Sequence, residues 1–455
     1  MKQAVYFSLP PVARSLAASI VGWQRDRRRY AGMFQEWHQF FAGNVARSAT
    51  ELKEEQFETL QAWLREVCAH APYYNSILAS SSKRWAPRLR SWDDLARLPA
   101  LPKEKVRAAP EAFLVRGAGT RGLDWHLTSG STGSPMRVPR YPEIEQFQWA
   151  FIWARARPGV TRSDRSVGFT GQTICDPKSN APPFWVDNWW SRQRFYSIYH
   201  LSNENLPYYA DSIEQFRPEY MAGYSSAAAY LASGLSAMAR PLASRPRAFF
   251  AGSEQLLPSN RSIIEQELKC RVWDHYGQAE FVCAITEHHC GRLHLNLDYS
   301  HVEFDPVEAD REGNVTAELI ATNIHNRRWP LLRYRTGDLV TYHPGDRCSC
   351  GHPGRVIKEI AGRTNRFISL KDGRKLFNLT TTLRLVRGIR TAQARRIADG
   401  EIELMFVRDH DTHSDVAREI VRVFGDRFGS NLKVRPREVD RIVRTGRGKF
   451  MVIVD

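Results

Sequence analysis

Residues 125–135 read Trp-His-Leu-Thr-Ser-Gly-Ser-Thr-Gly-Ser-Pro, a strand-like run that breaks into a loop of small hydroxyl and glycine residues. Gly130 and Gly133 let the backbone turn its N–H groups toward a polyanion, and the hydroxyls of Thr128, Ser129, Ser131 and Thr132 add donors around it. Such a loop suits a triphosphate. By itself a Ser/Gly cluster reads equally as a polar turn. It is not a Walker loop, because no Lys followed by Ser or Thr closes it; Met136 and Arg137 stand there instead.

Around that loop, from about residue 125 to 345, short β-branched or aromatic runs (SVGFTG, RAFFAGS, CRVWDHYG, HVEF) alternate with helical stretches, which predicts α/β layering. Upstream, residues 51–80 carry Phe57, Leu60, Trp63, Leu64 and Val67 at helical spacing and predict an amphipathic helix closed by Pro72. Downstream of Gly362 lies a separate series. It comprises a strand near 366–370, a turn at Lys371-Asp372-Gly373, a helix near 380–386, strands at 392–397 and 401–407, a helix at 414–428 and a strand near 432–435. The expected fold class is α/β, with a large multi-layer amino-terminal domain over residues 1–361 and a small α+β domain over 362–455. At 455 residues the chain exceeds the size, roughly 250–300 residues, at which a single core stops growing.

Hydrophobic residues at 42%, with 13 Trp, 16 Tyr and 22 Phe, exclude a disordered chain. Lys and Arg exceed Asp and Glu by 65 to 49, and an excess of +16 attracts polyanions or anionic membrane surfaces. The basic residues are spread along the chain without a zinc-finger, RRM or homeodomain pattern, so no specific nucleic-acid partner is expected. Residues 24–29, Gln-Arg-Asp-Arg-Arg-Arg, follow a short apolar stretch and read either as a solvated helix face or as a peripheral membrane contact. No run approaches the ~20 apolar residues that span a bilayer, and charges interrupt the start where a signal peptide needs an apolar run. Together with seven cysteines that suit reduced thiols and a metal better than a disulfide framework, this predicts a cytoplasmic protein.

Three further segments follow the hydroxyl-rich loop in order: His275-Tyr276-Gly277-Gln278-Ala279-Glu280, Tyr334-Arg335-Thr336-Gly337-Asp338 and Gly362-Arg363-Thr364. A fifth, Arg444-Thr445-Gly446-Arg447-Gly448-Lys449, closes the series. With Ala71-Pro72-Tyr73-Tyr74 and Tyr199-His200-Leu201-Ser202, this ordered set resembles the acyl-adenylate-forming ligases over nearly the whole chain. Within them it is similar to the phenylacetate–coenzyme A ligase-like branch, which includes capsular-polysaccharide-associated proteins.

The resemblance implies that Thr128, Ser129, Gly130, Ser131, Thr132 and Gly133 hold the β- and γ-phosphates of ATP. Glu280 would coordinate Mg²⁺, a hard cation suited to carboxylate and phosphate oxygens. Tyr276 and Gly277 would flank the adenine, with Ser253 and Glu254 near the same pocket, and Asp338 would accept hydrogen bonds from the ribose hydroxyls. Arg363, at a hinge, would contact ribose or phosphate. Lys449 would reach from a mobile carboxy-terminal domain to the α-phosphate, where charge builds in the transition state. The chain departs from the pattern at Met136 and Arg137, where a lysine is common, at Ala279, where threonine is usual, and at Asn365-Arg366, where the hinge usually carries aspartate.

The same branch often shows Cys-x5-His followed by Cys-x-Cys-Gly. Here Cys348, Cys350 and His294 would grip a structural Zn²⁺, completed by Cys290 or by His288, which occupies the usual cysteine position. Cys68, Cys175, Cys270 and Cys283 read as packed thiols. Trp185, Trp189, Trp190, Tyr199, Tyr224 and His200 are candidates to line an apolar acid pocket. The implied function is an ATP-dependent ligase that activates a small carboxylic acid as acyl-AMP and passes the acyl group to coenzyme A, a carrier thiol or another nucleophile. Two other readings stand beside it: an AMP transferase acting on a hydroxyl acceptor, and a non-catalytic nucleotide-binding scaffold of a polysaccharide biosynthesis cluster.

Overall fold

The computed structural model describes residues 3–80, 89–117, 122–128, 135–364, 366–377, 379–383, 385–408, 415–445 and 448–454. The fold class is α/β, in two compact units, each assembled from separated stretches of chain. One unit comprises Met1–Trp23, Gly159–Trp273 and Ala361–Asp455; the other comprises Gln24–Pro158 and Asp274–Ile360.

In the first unit the strands Gln193–Ser197, Ser166–Thr170, Tyr220–Gly223 and Ala248–Ala251 lie side by side and parallel, with Trp185–Asn188 antiparallel at the edge. A parallel sheet is covered on both faces, so its strands are buried nearly throughout, as Ser166–Thr170 and Ala248–Ala251 are. Helices Leu206–Phe216 and Ser225–Ala237 are the crossovers, and Val167, Phe169, Tyr209, Ile213, Leu231 and Phe249 bury their side chains between them and the sheet.

Residues after 361 in this unit carry their own core. Ile402, Leu404 and Phe406 of strand Glu401–Arg408 pack on Ile420 and Phe424 of helix Val416–Phe428. Strand Ile389–Ala398 pairs with Glu401–Arg408 as a hairpin, and Lys433–Glu438 and Ile453–Val454 flank it in parallel. The elements fall where periodicity puts them, except that the strand near 366–370 shrinks to Ile368–Ser369 and the helix near 380–386 to Thr380–Leu383.

The second unit contains an antiparallel meander, His301–Ala309, Val315–Thr322 and Tyr334–Tyr342. A smaller antiparallel sheet joins the end of Arg271–Gly277 to Ala284–Glu287, Leu293–Leu295 and Val356–Ile357. Trp63, Phe113, Trp329 and Tyr334 are fully buried in its core. Helix Ala49–His70 starts on a reciprocal cap between Ser48 and Glu51 and buries Leu60, Trp63, Leu64 and Val67. The helix predicted over 51–80 ends at His70, just before Pro72 as expected, and the same proline opens a second one, Pro72–Ser80. Ala71 is extended, as the residue before proline must be, and proline's missing N–H costs nothing in a first helical turn. Among the described residues no helix is long and apolar enough to cross a membrane.

Candidate active site

In the second unit, strand Tyr334–Tyr342 turns Tyr334, Thr336 and Asp338 toward the buried side. A buried carboxylate needs donors. Asp338 Oδ2 accepts the Tyr276 hydroxyl at 2.8 Å, and the Asp338 N–H donates to Thr336 Oγ1 at 3.1 Å. Tyr276 is positioned by strand Arg271–Gly277 and receives a hydrogen bond from the Gln278 amide. Burial, and then the neighbouring Asp338, push the Tyr276 phenol well above its ordinary value, so it stays a donor.

Glu280 is also buried, and its Oε1 accepts from the Tyr334 hydroxyl at 2.8 Å and from Lys103 Nζ at 3.0 Å. Burial alone would raise its carboxyl pKa. The Lys103 ammonium and the Tyr334 hydroxyl outweigh burial and hold it below the usual glutamate value, so the group is charged. Lys103 is fixed in turn by the Thr336 carbonyl at 3.0 Å. Phe281, next to Glu280, has φ +54, a region bulky side chains avoid and one that marks functional turns. The Arg140 guanidinium lies 3.9 Å from the Phe281 ring centroid. Two carboxylates, each braced by a tyrosine, are thus presented: one suits a diol, the other a divalent cation.

Of the hydroxyl-rich loop, Thr128 is described, whereas Ser129, Gly130, Ser131, Thr132 and Gly133 lie outside the described residues. Thr128 closes a hairpin, Asp124–Leu127 paired with Arg137–Arg140: its N–H donates to the Met136 carbonyl, and its Oγ1 accepts from the Met136 N–H, both at 2.9 Å. Met136 is buried. Arg137 pairs with Glu111 at 2.5 Å and lies 4.6 Å from the Trp125 ring centroid.

In the first unit Ser253 and Glu254 follow strand Ala248–Ala251, with Ser253 in the left-handed region at φ +69. Glu254 accepts from the Ser226 N–H at 2.7 Å, the Ser225 hydroxyl at 3.2 Å and the Phe450 N–H at 3.1 Å. Arg444 donates to Ser226 Oγ and to the Gly448 carbonyl. Thr445 and Lys449 bond to each other through both backbone groups and the Thr445 hydroxyl, each at 3.0 Å. Gly448 has φ +72, and a Cβ there would lie 2.2 Å from Ile198 Cδ1. The turn carrying the half-buried Lys449 is therefore seated on the loop after Ala248–Ala251. Arg363 ends strand Glu359–Arg363 and is half-buried.

A third cluster resolves an ambiguity of the sequence. The ligand atoms of Cys290, His294, Cys348 and Cys350 all lie within 4.8 Å of one another. Cys290 Sγ is 3.6 Å from Cys348 Sγ, and His294 Nε2 is 3.5 Å from both Cys290 Sγ and Cys350 Sγ. A tetrahedral ion with bonds of about 2.3 Å needs donor separations of about 3.8 Å, so the set fits. Cys290, not His288, completes it. His294 Nδ1 bonds the Gly354 carbonyl at 3.3 Å, which turns Nε2 toward the thiols; a Cβ on Gly354 would fall 1.7 Å from the Leu295 carbonyl oxygen. Burial lowers the His294 pKa and keeps the ring neutral, and the Cys350 N–H lowers that of Cys348.

Cys68, Cys175, Cys270 and Cys283 are buried thiols, with Cys68 and Cys270 pushed up to about 12 by burial. His200 is packed on Phe184, with Nδ1 at 2.7 Å from Ser197 Oγ and Nε2 at 2.9 Å from the Asp176 carbonyl. Trp189 and Trp190 are exposed in the turn between strands Trp185–Asn188 and Gln193–Ser197 rather than enclosed. Lys103, Arg140 and Arg444 were not among the expected site residues. Of these, Arg444 alone stands in a segment singled out in the sequence, at the head of Arg444-Thr445-Gly446-Arg447-Gly448-Lys449.

No protein-family model matches the chain. Protein CapK of Staphylococcus aureus is 24% identical over 454 residues, covering 99% of this chain and 98% of the relative. Phenylacetate-coenzyme A ligase of Pseudomonas putida is 24% identical over 342 residues, covering 71% of this chain and 73% of the relative. Among solved structures, 2-hydroxyisobutyryl-CoA ligase in the postadenylation state with R3-HIB-AMP aligns with a TM-score of 0.67 at 17% identity, over 90% of this chain and 91% of that one. The same enzyme with 2-HIB-AMP and CoA in the thioesterification state gives 0.54 at 18% identity over the same shares. These structures share the fold of this chain.

Proposed function

We propose a reaction course for this chain from the premise that it belongs to the adenylate-forming ligase superfamily, in the phenylacetate–coenzyme A ligase-like branch, and is an ATP-dependent acid ligase. A carboxylate oxygen attacks the α-phosphorus of ATP in line, the bond to the β-phosphate oxygen breaks, and acyl-AMP and pyrophosphate form. A thiol, that of coenzyme A, then takes the acyl group and releases AMP.

The observation that carries this reading is the pair of buried carboxylates, Asp338 and Glu280, each held by a tyrosine hydroxyl. Burying a carboxylate costs free energy that packing alone does not return, so such a pair points to a ligand. In the proposed course Asp338 exchanges its bond with Tyr276 for bonds to the ribose hydroxyls, and Tyr276 and Gly277 flank the adenine. Glu280 would hold Mg²⁺, which would supply positive charge to neutralise the phosphates. The loop at 128–133 wraps the β- and γ-phosphates, Arg363 contacts ribose or phosphate, and Lys449 neutralises charge on the α-phosphate. Glu254 anchors the Lys449 turn through Phe450. Residues 362–455 act as a mobile module, which their separate core supports. Cys290, His294, Cys348 and Cys350 hold a structural zinc, because four protein donors leave no position for water. The setting is the cytoplasm, where ATP and coenzyme A are supplied.

The test is ATP–pyrophosphate exchange with a library of carboxylic acids, followed by coenzyme A addition to the acids that respond. Exchange with at least one acid and thioester formation are expected. ATP binding with no exchange for any acid would favour the scaffold reading, and AMP transfer to a hydroxyl in place of thioester would favour the transferase.

A further inference from the structure

We propose that helix Pro11–Arg29 and the turn at Trp189-Trp190 dock the protein on the surface of an anionic phospholipid membrane. A surface helix ordinarily buries its apolar stripe and exposes its polar side chains. This helix does the reverse. Its inward face is Arg14, Ser15, Ser19 and Gly22. Ser15 Oγ accepts from the Asp187 N–H at 3.2 Å, Ser19 Oγ accepts from the Trp189 N–H at 2.9 Å, and a Cβ on Gly22 would fall 2.4 Å from the Asn188 side chain. The small and polar residues are therefore spent on close packing against the strand Trp185–Asn188 and its turn.

The outward face is apolar. Val12 is 70% exposed, Leu16 54%, Ile20 50% and Trp23 38%, and steps of three or four residues place them in one stripe. The stripe runs on to Arg27, which is exposed, as is Arg25. Beside the helix, in the turn that Ser19 holds, Trp189 and Trp190 are 52% and 56% exposed, and the exposed Arg192 follows them. Leaving this many large apolar side chains in water is unfavourable unless something covers them.

The chemistry selects the cover. Tryptophan prefers the boundary between headgroups and acyl chains, arginine pairs with lipid phosphate, and an apolar stripe ending in arginines is the pattern of a helix lying in that boundary. The net charge of +16 draws the chain to an anionic leaflet. A second copy is a poorer cover where its helix runs parallel, because Arg27 and its neighbours would then meet like charge. The inference uses no residue of the proposed ligase chemistry and stands or falls independently of it.

The test sediments the full chain with vesicles of phosphatidylcholine alone and of phosphatidylcholine with about one-third phosphatidylglycerol. Binding to the anionic vesicles, weakened by salt, is expected, with a blue shift of tryptophan emission. Leu16→Glu with Ile20→Glu, and separately Arg25→Glu with Arg27→Glu, should each lower the partition coefficient about tenfold or more while circular dichroism is unchanged. Trp189→Ala with Trp190→Ala should weaken binding and remove most of the shift, and it tests the surface without altering the helix. Wild-type protein that stays in solution with anionic vesicles, or binding undiminished in these variants, would overturn the proposal. So would light scattering that shows a dimer in the wild type and a monomer in the Leu16→Glu, Ile20→Glu variant, since a second copy would then cover the stripe.

Discussion

Glu280 keeps its charge in a buried place because Lys103 stands 3.0 Å away. Its folded pKa lies below the unfolded value, about 4.3, so the pair contributes stability above that value and loses it as pH falls through the lower, folded one. In Lys103→Met only hydrogen bonds such as that from the Tyr334 hydroxyl still oppose burial, so the folded pKa rises and the carboxylate is buried at neutral pH without its countercharge. The variant should be less stable by about 3–5 kcal/mol at neutral pH, with the gap closing in acid once the carboxyl is protonated. Denaturant titration at both pH values measures this; a gap independent of pH would mean that Lys103 does not hold the charge. Asp338 and Glu280 should also separate functionally. Asp338→Ala should weaken ATP binding about ten- to a hundredfold, whereas Glu280→Gln should still bind nucleotide but release pyrophosphate slowly, as calorimetry and a pyrophosphate assay would show. Both carboxylates were legible in the sequence because each sits in a short recognisable string. Lys103 was not, since its partner lies far off in the chain and only folding joins them.

At the scale of elements, periodicity sufficed where one helix or strand buries one face, as in Ala49–His70 and Glu401–Arg408. It placed the stop at Pro72 and missed the second helix that begins there, because a proline ends one helix and begins the next equally well. For the helix Pro11–Arg29 the sequence left a solvated face and a membrane contact both open, because its exposed apolar side chains do not face the core and the usual inference from stripe to interior inverts. The cysteine cluster shows what spacing alone leaves open. Cys290 and His288 are both reachable from His294 along the chain, and only the turn between Ala284–Glu287 and Leu293–Leu295 brings Cys290 within 3.5 Å of it. About one zinc per chain is expected by elemental analysis, lost when Cys348 and Cys350 are both changed to Ser, and kept when His288 is changed to Ala. Loss of metal in His288→Ala would reverse the choice of ligand.

At the scale of the molecule, the sequence shows where the pattern changes near residue 362, but not that residues after 361 cluster with Met1–Trp23 and Gly159–Trp273. That grouping depends on contacts with no local signature: Phe450 with Glu254, Arg444 with Ser226, and Gly448 against Ile198. All of them seat the turn that carries Lys449 through its neighbouring residues. The seat and the charge can therefore be tested apart. Lys449→Ala leaves Gly448, Thr445, Arg444 and Phe450 in place, so the turn should still dock and the fold should keep its stability. In the proposed course the substitution removes the cation that neutralises charge on the α-phosphate as pyrophosphate departs, a loss expected to cost on the order of 10²–10³ in rate, about 3–4 kcal/mol. The second half-reaction, transfer of the acyl group from preformed acyl-AMP to coenzyme A, involves no departure of pyrophosphate and should proceed at close to the wild-type rate. Measuring both half-reactions on one preparation decides the matter: equal losses in both would mean that Lys449 serves the fold, and full pyrophosphate exchange would mean that some other cation serves the α-phosphate.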